Sequence, residues 1–223
     1  HRLPFYGLAV LCIDDDEVAQ LAHATPRHIV TYGFSHEADV RAADIQQQGA
    51  RMHFTLCLPD GSRTACTLAL PGRHNVQNAL AAAAIGWQLG VPNAAIARAF
   101  EKFEGIGRRF NQLAKLTLAQ GGEVALVDDY GHHPKELAAV FAAARGGWPD
   151  KRLVVAFQPH RYSRTRDLFD EFAAVLSSVD ALVLTEVYPA GEAPIGGADA
   201  KSLARSIRTR GRVDQVVLSA ASE

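Results

Sequence analysis

Cysteine is scarce in this chain, with only three residues, at positions 12, 57 and 66, among 223. No pair has the C-x-x-C spacing, and an odd number cannot complete a disulfide framework. This scarcity argues against a disulfide-stapled secreted domain and against a cysteine-ligated metal centre. It favours a reducing compartment, so we expect a cytoplasmic protein.

Neither sign of charge predominates, and no apolar run is long. The chain has 23 Lys and Arg against 24 Asp and Glu, so it lacks the basic surplus of a nucleic-acid-binding protein. Its longest apolar run, residues 79–87, is well short of the roughly 20 residues that cross a bilayer. We therefore expect a globular protein with no nucleic-acid partner and no membrane insertion.

In the first half of the chain, apolar residues recur with the period of a strand in some segments and with the period of a helix in others. Period-two alternation over residues 52–58 and 64–70, on either side of a turn at residues 59–61, predicts a β-hairpin. The pattern leaves open whether Cys57 and Cys66 meet across it. The other predicted elements are strands over residues 7–13 and 28–34 and helices over residues 17–23, 76–87 and 93–103, the first of them capped by Asp16.

Strands alternate with helices after a glycine-bracketed loop at residues 105–107. Such alternation indicates βαβ units and a mostly parallel sheet. We therefore predict an α/β fold with two domains, residues 1–107 and 108–223. The predicted strands of the second domain cover residues 113–118, 124–127, 153–157, 181–184 and 213–218, and its helices begin after Pro134, near Thr165 and at Lys201.

Two dense polar clusters follow consecutive predicted strands: DDYGHHP at residues 128–134 and QPHRYSR at residues 158–164. Because ligands bind at the carboxyl ends of parallel strands, we expect both clusters at one edge of a single sheet, forming a site for anionic substrates. Two arginines three positions apart suit carboxylate or phosphate, and the adjacent helix N-terminus adds its own preference for anions. The competing interpretations are that Asp129 caps a helix and that His132 is a solvated loop residue.

Two weaker groups stand in the first half. His74, Asn75 and Asn78 lie at the start of a predicted helix, where Asn75 could equally be the N-cap. Arg108, beside Arg109, is either a solvated hinge residue or a cation that domain closure brings to a phosphate. The remaining histidines have no metal-ligand spacing, so we predict no zinc site.

Four motifs, in this order along the chain, resemble those of the bacterial Mur ligases: GRHNVQNA (residues 72–79), GRRF (residues 107–110) and the two clusters above. The first is shared with folylpolyglutamate synthetases, whereas the clusters resemble the members that join L-alanine to UDP-N-acetylmuramate. The resemblance extends over residues 3–223. It implies that residues 1–107 are the C-terminal part of a central ATP-binding domain and residues 108–223 most of a Rossmann-like C-terminal domain.

The resemblance implies an ATP-dependent amide-bond-forming ligase of peptidoglycan precursor synthesis. Its substrates would be UDP-N-acetylmuramate, L-alanine and ATP, with Mg²⁺ as cofactor, and the lactyl carboxylate would be activated as an acyl phosphate before the amine attacks. Catalytic roles would fall to His132, Arg161 and Arg164, with His132 assisting removal of a proton from the amine. The matching positions are His74, Asn75, Asn78, Arg108, Asp128 and Asp129 for the nucleotide, and Tyr130, His132, Arg161 and Arg164 for the substrate pocket.

Several features of the family are missing from the 223 residues. There is no G-x-x-x-x-G-K-[ST] phosphate loop, and the family's Mg²⁺ ligands lie outside the matched part, so no metal ligand is assigned. The chain begins and ends close to strand-like runs, so we expect a piece of a longer protein, without the UDP-sugar domain and inactive alone. Two other interpretations stay open: a non-catalytic module that binds an amino acid or a nucleotide, and a muropeptide ligase.

Overall fold

The computed structural model describes residues 3–210 and 213–217. The chain divides into two compact units, His1–Asn111 and Gln112–Glu223, each with its own hydrophobic core. Within the described ranges, every helix is too short or too polar to span a bilayer.

The first unit is built on a five-stranded sheet. In chain order its elements are β1 (Leu8–Cys12), α1 (Asp16–Ala24), β2 (His28–Gly33), β3 (Val40–Gln48), β4 (Arg51–Cys57), β5 (Arg63–Leu68), α2 (Arg73–Gln88) and α3 (Asn93–Lys102). The spatial order is β1-β2-β3-β4-β5, parallel from β1 to β3 and antiparallel from β3 to β5. Helix α2 packs on β1, β2 and β3, and α3 packs on β5.

The predicted hairpin is confirmed as β4 and β5, and its register separates the two cysteines. Cys57 pairs with Arg63 and Cys66 with Phe54, so the thiols do not face each other. Both are buried and free. Burial raises the pKa of the Cys66 thiol to about 11, so it is protonated at neutral pH.

Two parts of the first unit differ from the sequence prediction. Strand β3 was not predicted, because its alanine, aspartate and glutamine residues are poor strand formers and its pairing with β4 overrides that preference. The N-cap of α1 is Asp15 rather than Asp16, since the Asp15 carboxylate accepts hydrogen bonds from the amides of Glu17 and Val18.

The carboxylate of Asp14 ties β1, β2 and α2 together. It accepts hydrogen bonds from Phe34 N at 2.8 Å, from Ser35 N at 3.1 Å and from the Gln77 amide nitrogen at 2.6 Å. A Cβ at position 33 would lie 2.5 Å from Asp14 Oδ1, so only glycine permits this approach. Asp14 thus anchors the first turns of α2, the helix that carries Asn75 and Asn78.

The second unit contains two separate sheets. Its elements are β6 (Asn111–Thr117), which begins at the last residue of the first unit, β7 (Glu123–Asp128), α4 (Pro134–Gly147), β8 (Val154–Phe157), α5 (Tyr162–Asp167), α6 (Phe169–Leu176), β9 (Ala181–Leu184), α7 (Ala200–Thr209) and β10 (Asp214–Val217). β8, β9 and β10 form an all-parallel sheet in the order β10-β9-β8, as the strand–helix alternation predicts. The last predicted strand ends at position 218, which lies outside the described residues.

The expectation that both polar clusters follow strands of one sheet is wrong. β7 pairs with β6 in a two-stranded sheet, whereas β8 belongs to the parallel sheet. A tight turn closed by hydrogen bonds within residues 118–122 joins β6 to β7, and the two strands pair locally. The single helix predicted from Thr165 is also two helices, α5 and α6, separated at Leu168.

Candidate functional site

The turn between β7 and α4 is held by its own polar side chains. Asp129 Oδ1 accepts a hydrogen bond from Gly131 N at 2.7 Å, which closes the turn ahead of the helix. The N-cap of α4 is His133, which forms a capping box with Glu136. The interpretation of Asp129 as the helix cap is therefore wrong.

His132 is half-buried and oriented by its neighbours rather than free in solvent. Its Nδ1 lies 3.0 Å from the carbonyl oxygen of Tyr130 and 3.8 Å from Glu136 Oε2. A carbonyl oxygen only accepts, so Nδ1 carries the proton. In the neutral ring, Nε2 then has the lone pair, and His132 is in the tautomer that a general base at Nε2 requires.

The turn between β8 and α5 places Arg161 in a strained backbone conformation. Arg161 has a φ of 74°, which costs a non-glycine residue on the order of 1–3 kcal/mol. Three contacts hold it there: Arg161 N donates to Tyr188 O at 2.8 Å, and Arg161 O accepts from Thr165 N at 3.1 Å and from Thr165 Oγ1 at 2.9 Å. Backbone strain that is held by tertiary contacts is typical of functional sites.

The N-terminus of α5 is already occupied by a carboxylate of the protein. Glu192 accepts hydrogen bonds from Ser163 N at 2.9 Å and from Ser163 Oγ at 2.6 Å. The expectation that this helix terminus adds an anion site is therefore wrong, since the helix has only six residues and Glu192 already binds its Ser163 amide. The cationic groups at this turn are the side chains of Arg161 and Arg164.

A chain of aromatic contacts brings the two predicted clusters together. The ring centroids of Tyr130 and His132 are 5.2 Å apart, those of His132 and His160 are 6.2 Å apart, and those of His160 and Tyr188 are 5.3 Å apart. The clusters thus meet although their strands belong to different sheets. Arg164 contacts the same cluster, because its Nη1 donates a hydrogen bond to the carbonyl oxygen of His160 at 3.3 Å.

A third loop, residues 185–192, completes this site and was missed by the sequence analysis. It follows β9, the middle strand of the parallel sheet, and supplies Tyr188 and Glu192. The rule that ligand groups follow parallel strands also applies to β9, so this loop could have been found. It was missed because its polar residues are spread over eight positions.

His160 and Thr185 carry polar atoms that the fold leaves without a partner. His160 Nδ1 and Thr185 Oγ1 are both buried, and neither has a hydrogen bond among the described residues. Unsatisfied buried groups cost about 1–3 kcal/mol each, so they are rare away from binding sites. Both atoms lie on turns that follow strands of the parallel sheet.

The pKa of His160 is lowered. Burial is the main cause, because it disfavours the charged ring. Electrostatic interactions with Arg164, Arg161 and His132 lower the pKa further, while the carboxylate of Glu192 opposes them. His160 is therefore held neutral at a pH where an ordinary histidine begins to protonate.

We expect His160 in the folded 223-residue chain to titrate below its value in the urea-unfolded chain. Arg164→Ala should raise the folded pKa, and Arg166→Ala, which removes a more distant exposed cation, should leave it unchanged. Because its pKa is lower in the folded chain, His160 binds more protons in the unfolded chain. Its contribution to the free energy of unfolding is therefore present above a pH of about 6.5, the ordinary pKa, and is lost as the pH falls through the folded pKa. Histidine C2-proton NMR, assigned with His160→Asn, tests this; a folded pKa at or above the unfolded one contradicts it.

In the first unit, three of the predicted nucleotide residues lie on the first two turns of α2: His74, Asn75 and Asn78. Gly72, with a φ of 95°, is the N-cap position of this helix, so the interpretation of Asn75 as the N-cap is wrong. Asn75 Nδ2 instead donates to the carbonyl oxygen of Pro71 at 2.7 Å, and Asn78 is exposed one turn further on. Arg108 is exposed and has a φ of 63° in the loop before β6.

The predicted site residues are thus grouped by unit. His74, Asn75, Asn78 and Arg108 belong to the first, and the others, Asp128, Asp129, Tyr130, His132, Arg161 and Arg164, to the second. Among the described residues no group of three or more histidine, cysteine or acidic side chains could hold a metal ion.

Comparison with known proteins gives concordant matches for both units. Residues 1–86 match the Mur ligase middle domain, and residues 108–222 match the Mur ligase glutamate ligase domain. A UDP-N-acetylmuramate–L-alanine ligase of Xanthomonas campestris pv. campestris (strain B100) is 74% identical over 217 residues, which cover 97% of this chain and 46% of the relative. This chain therefore spans about half the length of that relative.

Solved structures are similar to this chain over most of its length. The crystal structure of UDP-N-acetylmuramate–alanine ligase from Thermotoga maritima has a TM-score of 0.72 and 26% identity, covering 95% of this chain and 43% of its own. A MurF crystal structure from Acinetobacter baumannii has a TM-score of 0.70 at 22% identity, covering 98% of this chain and 44% of its own, and is similar in fold alone.

Proposed function

The chain belongs to the Mur ligase family, and we propose that it is part of a ligase that joins L-alanine to the lactyl carboxylate of UDP-N-acetylmuramate, with conversion of ATP to ADP and phosphate. The observation that carries the proposal is the single cluster formed by Tyr130, His132 and His160, next to Arg161 and Arg164. The 74% identity to an L-alanine ligase supports the choice of amino acid.

The chemistry needs anion binding and acceptors for the two protons that the ammonium nitrogen loses on becoming an amide. ATP supplies the phosphoryl group that turns the carboxylate into a good electrophile. The guanidinium groups of Arg161 and Arg164 suit the carboxylate of L-alanine and the charge that develops as phosphate leaves. His132 Nε2 takes one proton from the alanine ammonium group, and the free amine attacks the acyl carbon. The carbon–oxygen bond to phosphate then breaks, and the second nitrogen proton passes to the departing phosphate as the amide forms.

We assign the nucleotide to six side chains whose chemistry fits it. The imidazole and amides of His74, Asn75 and Asn78 suit the edge of an adenine, and the exposed Arg108 suits the phosphates. The carboxylates of Asp128 and Asp129 suit ribose hydroxyls. The described residues offer no cluster for Mg²⁺, so no step is assigned to the metal here.

We propose that residues 1–107 are the C-terminal part of the central ATP-binding domain and residues 108–223 the C-terminal ligase domain. The matched family ranges and the division of the fold after Asn111 support this. Nucleotide and UDP-sugar substrates and three free cysteines also support a cytoplasmic location.

The proposal is tested with a chimera in which this chain replaces the matching 217-residue segment of the Xanthomonas campestris ligase. We expect phosphate release from ATP that depends on both UDP-N-acetylmuramate and L-alanine, at a rate within about tenfold of the parent enzyme. We expect the 223-residue chain alone to give none, because it contains no phosphate-loop motif.

The parent ligase serves as the control for folding and assay. Phosphate release that needs a ready-made tripeptide instead of L-alanine would favour the muropeptide ligase. A folded chimera that binds nucleotide without turnover would favour the non-catalytic binding module. Turnover by the 223-residue chain alone would contradict the expectation of inactivity.

A further inference from the structure

Glu192 reaches the substrate turn from another strand of the sheet. It lies in the loop after β9, 29 positions beyond Ser163, and binds that residue through both carboxylate oxygens. Ser163 is the second residue of α5, between Arg161 and Arg164. The N-cap residue of α5 is Arg161, whose side chain makes no capping hydrogen bond, so Glu192 provides the cap from outside the helix.

The two loops are also joined along their backbones. Tyr188 N donates to Pro159 O at 2.8 Å, and Arg161 N donates to Tyr188 O at 2.8 Å. Glu192 N donates to Pro189 O at 3.0 Å, which folds the loop back toward α5. Residues 188–192 therefore form a brace against both sides of the strained Arg161.

The charge of Glu192 matches this position. Hydrogen bonds from Ser163, together with the charge of Arg161, hold the pKa of Glu192 below its usual range. The carboxylate is therefore ionised at neutral pH and offsets part of the positive charge that Arg161 and Arg164 concentrate at one turn. Without it, the turn between Arg161 and Arg164 would lose the acceptor of the Ser163 hydrogen bonds and a negative charge near Arg161.

We propose that Glu192 is a positioning residue that holds Arg161 and Arg164 in place for the carboxylate of the amino-acid substrate by binding the Ser163 amide and hydroxyl; this inference rests on the proposed ligase function. The action is indirect, since Glu192 contacts Ser163 and not the substrate. Misplacement of a binding group by about 1 Å can reduce a rate by about 100-fold.

In the chimera, Glu192→Ala is expected to raise the KM for L-alanine at least tenfold and to leave the KM for ATP unchanged. Glu192→Gln should stay within about threefold of the unsubstituted chimera, because its amide oxygen can accept from Ser163 N and its NH₂ can donate to Ser163 Oγ. Glu171→Ala, an exposed glutamate on α6, is the matched control. Equal rises in both KM values, or no rise for Glu192→Ala, overturn the proposal.

A second measurement separates failure of this inference from failure of the proposed function. In the 223-residue chain, Glu192→Ala should speed hydrogen exchange at the Ser163 amide at least tenfold and shift the side-chain Nε–H NMR signals of Arg161 and Arg164, while Glu171→Ala does neither. If the unsubstituted chimera is inactive, the proposed function fails, and this result still decides whether Glu192 positions the arginines. Unchanged exchange and unchanged arginine signals overturn the positioning role.

Discussion

Arg161→Ala in the chimera is expected to lower alanine-dependent phosphate release by about 100-fold or more, which is typical for removing one preorganised group that stabilises developing charge. The substitution removes the guanidinium but not the backbone contacts to Tyr188 and Thr165 that hold the turn. Arg166→Ala, five positions further along in α5, is the matched control. Its guanidinium is exposed and pairs only with the neighbouring Asp167 among the described residues, so its loss should leave the rate unchanged.

The backbone strain at Arg161 provides a check on folding. Arg161→Gly should be about 1 kcal/mol more stable than Arg161→Ala, because glycine adopts a φ of 74° without steric cost. Both variants should lower the rate by a similar factor although their stabilities differ, which separates the effect of losing the guanidinium from the effect of losing stability. Near-normal rates from Arg161→Ala and His132→Ala together would remove the site assignment.

Phe172→Ala is expected to lower the free energy of unfolding of the second unit by about 3–5 kcal/mol. Phe172 is 1% exposed on α6, and its ring centroid lies 5.7 Å from that of Phe157 at the end of β8. Truncation leaves a cavity between the helix and the sheet that carries the site. Urea unfolding followed by tryptophan fluorescence measures the change.

The two tryptophans allow each unit to be followed separately. Trp87 lies in the first unit and Trp148 in the second, so a Trp87→Phe background reports on the second unit alone. Glu171→Ala, the exposed neighbour of Phe172, should change stability by less than about 0.5 kcal/mol. A loss below about 1 kcal/mol for Phe172→Ala would mean that the core of the second unit does not depend on this ring.

Local patterns were sufficient where one segment determines its own structure. The hairpin of β4 and β5 followed from period-two alternation around the turn at residues 59–61, and the parallel sheet of β8, β9 and β10 followed from strand–helix alternation. The two polar clusters were found because their chemistry is concentrated in seven positions each. Their contact through His132 and His160 was expected from a shared sheet edge, but it forms although their strands belong to different sheets.

Local patterns failed where a distant segment decides the structure. Strand β3 forms by pairing with β4 despite weak strand propensity, and the N-terminus of α5 is filled by Glu192, which is 29 positions from Ser163. Asp129 and Asn75 look like caps in sequence, yet His133 and Gly72 occupy the cap positions. Which residue caps a helix depends on the groups that compete for the same backbone amide, and sequence spacing does not contain that information.

The sequence by itself determined the periodic elements of both units, the polar groups of two of the three turns that build the site, and the resemblance to the Mur ligases, because all of these depend on residue type and short spacing. Only the tertiary structure decided that β7 leaves the parallel sheet, that the loop after β9 braces Arg161, and that Cys57 and Cys66 do not face each other. These outcomes depend on strand register and long-range hydrogen bonds, whose energies are set by partners far apart in the chain.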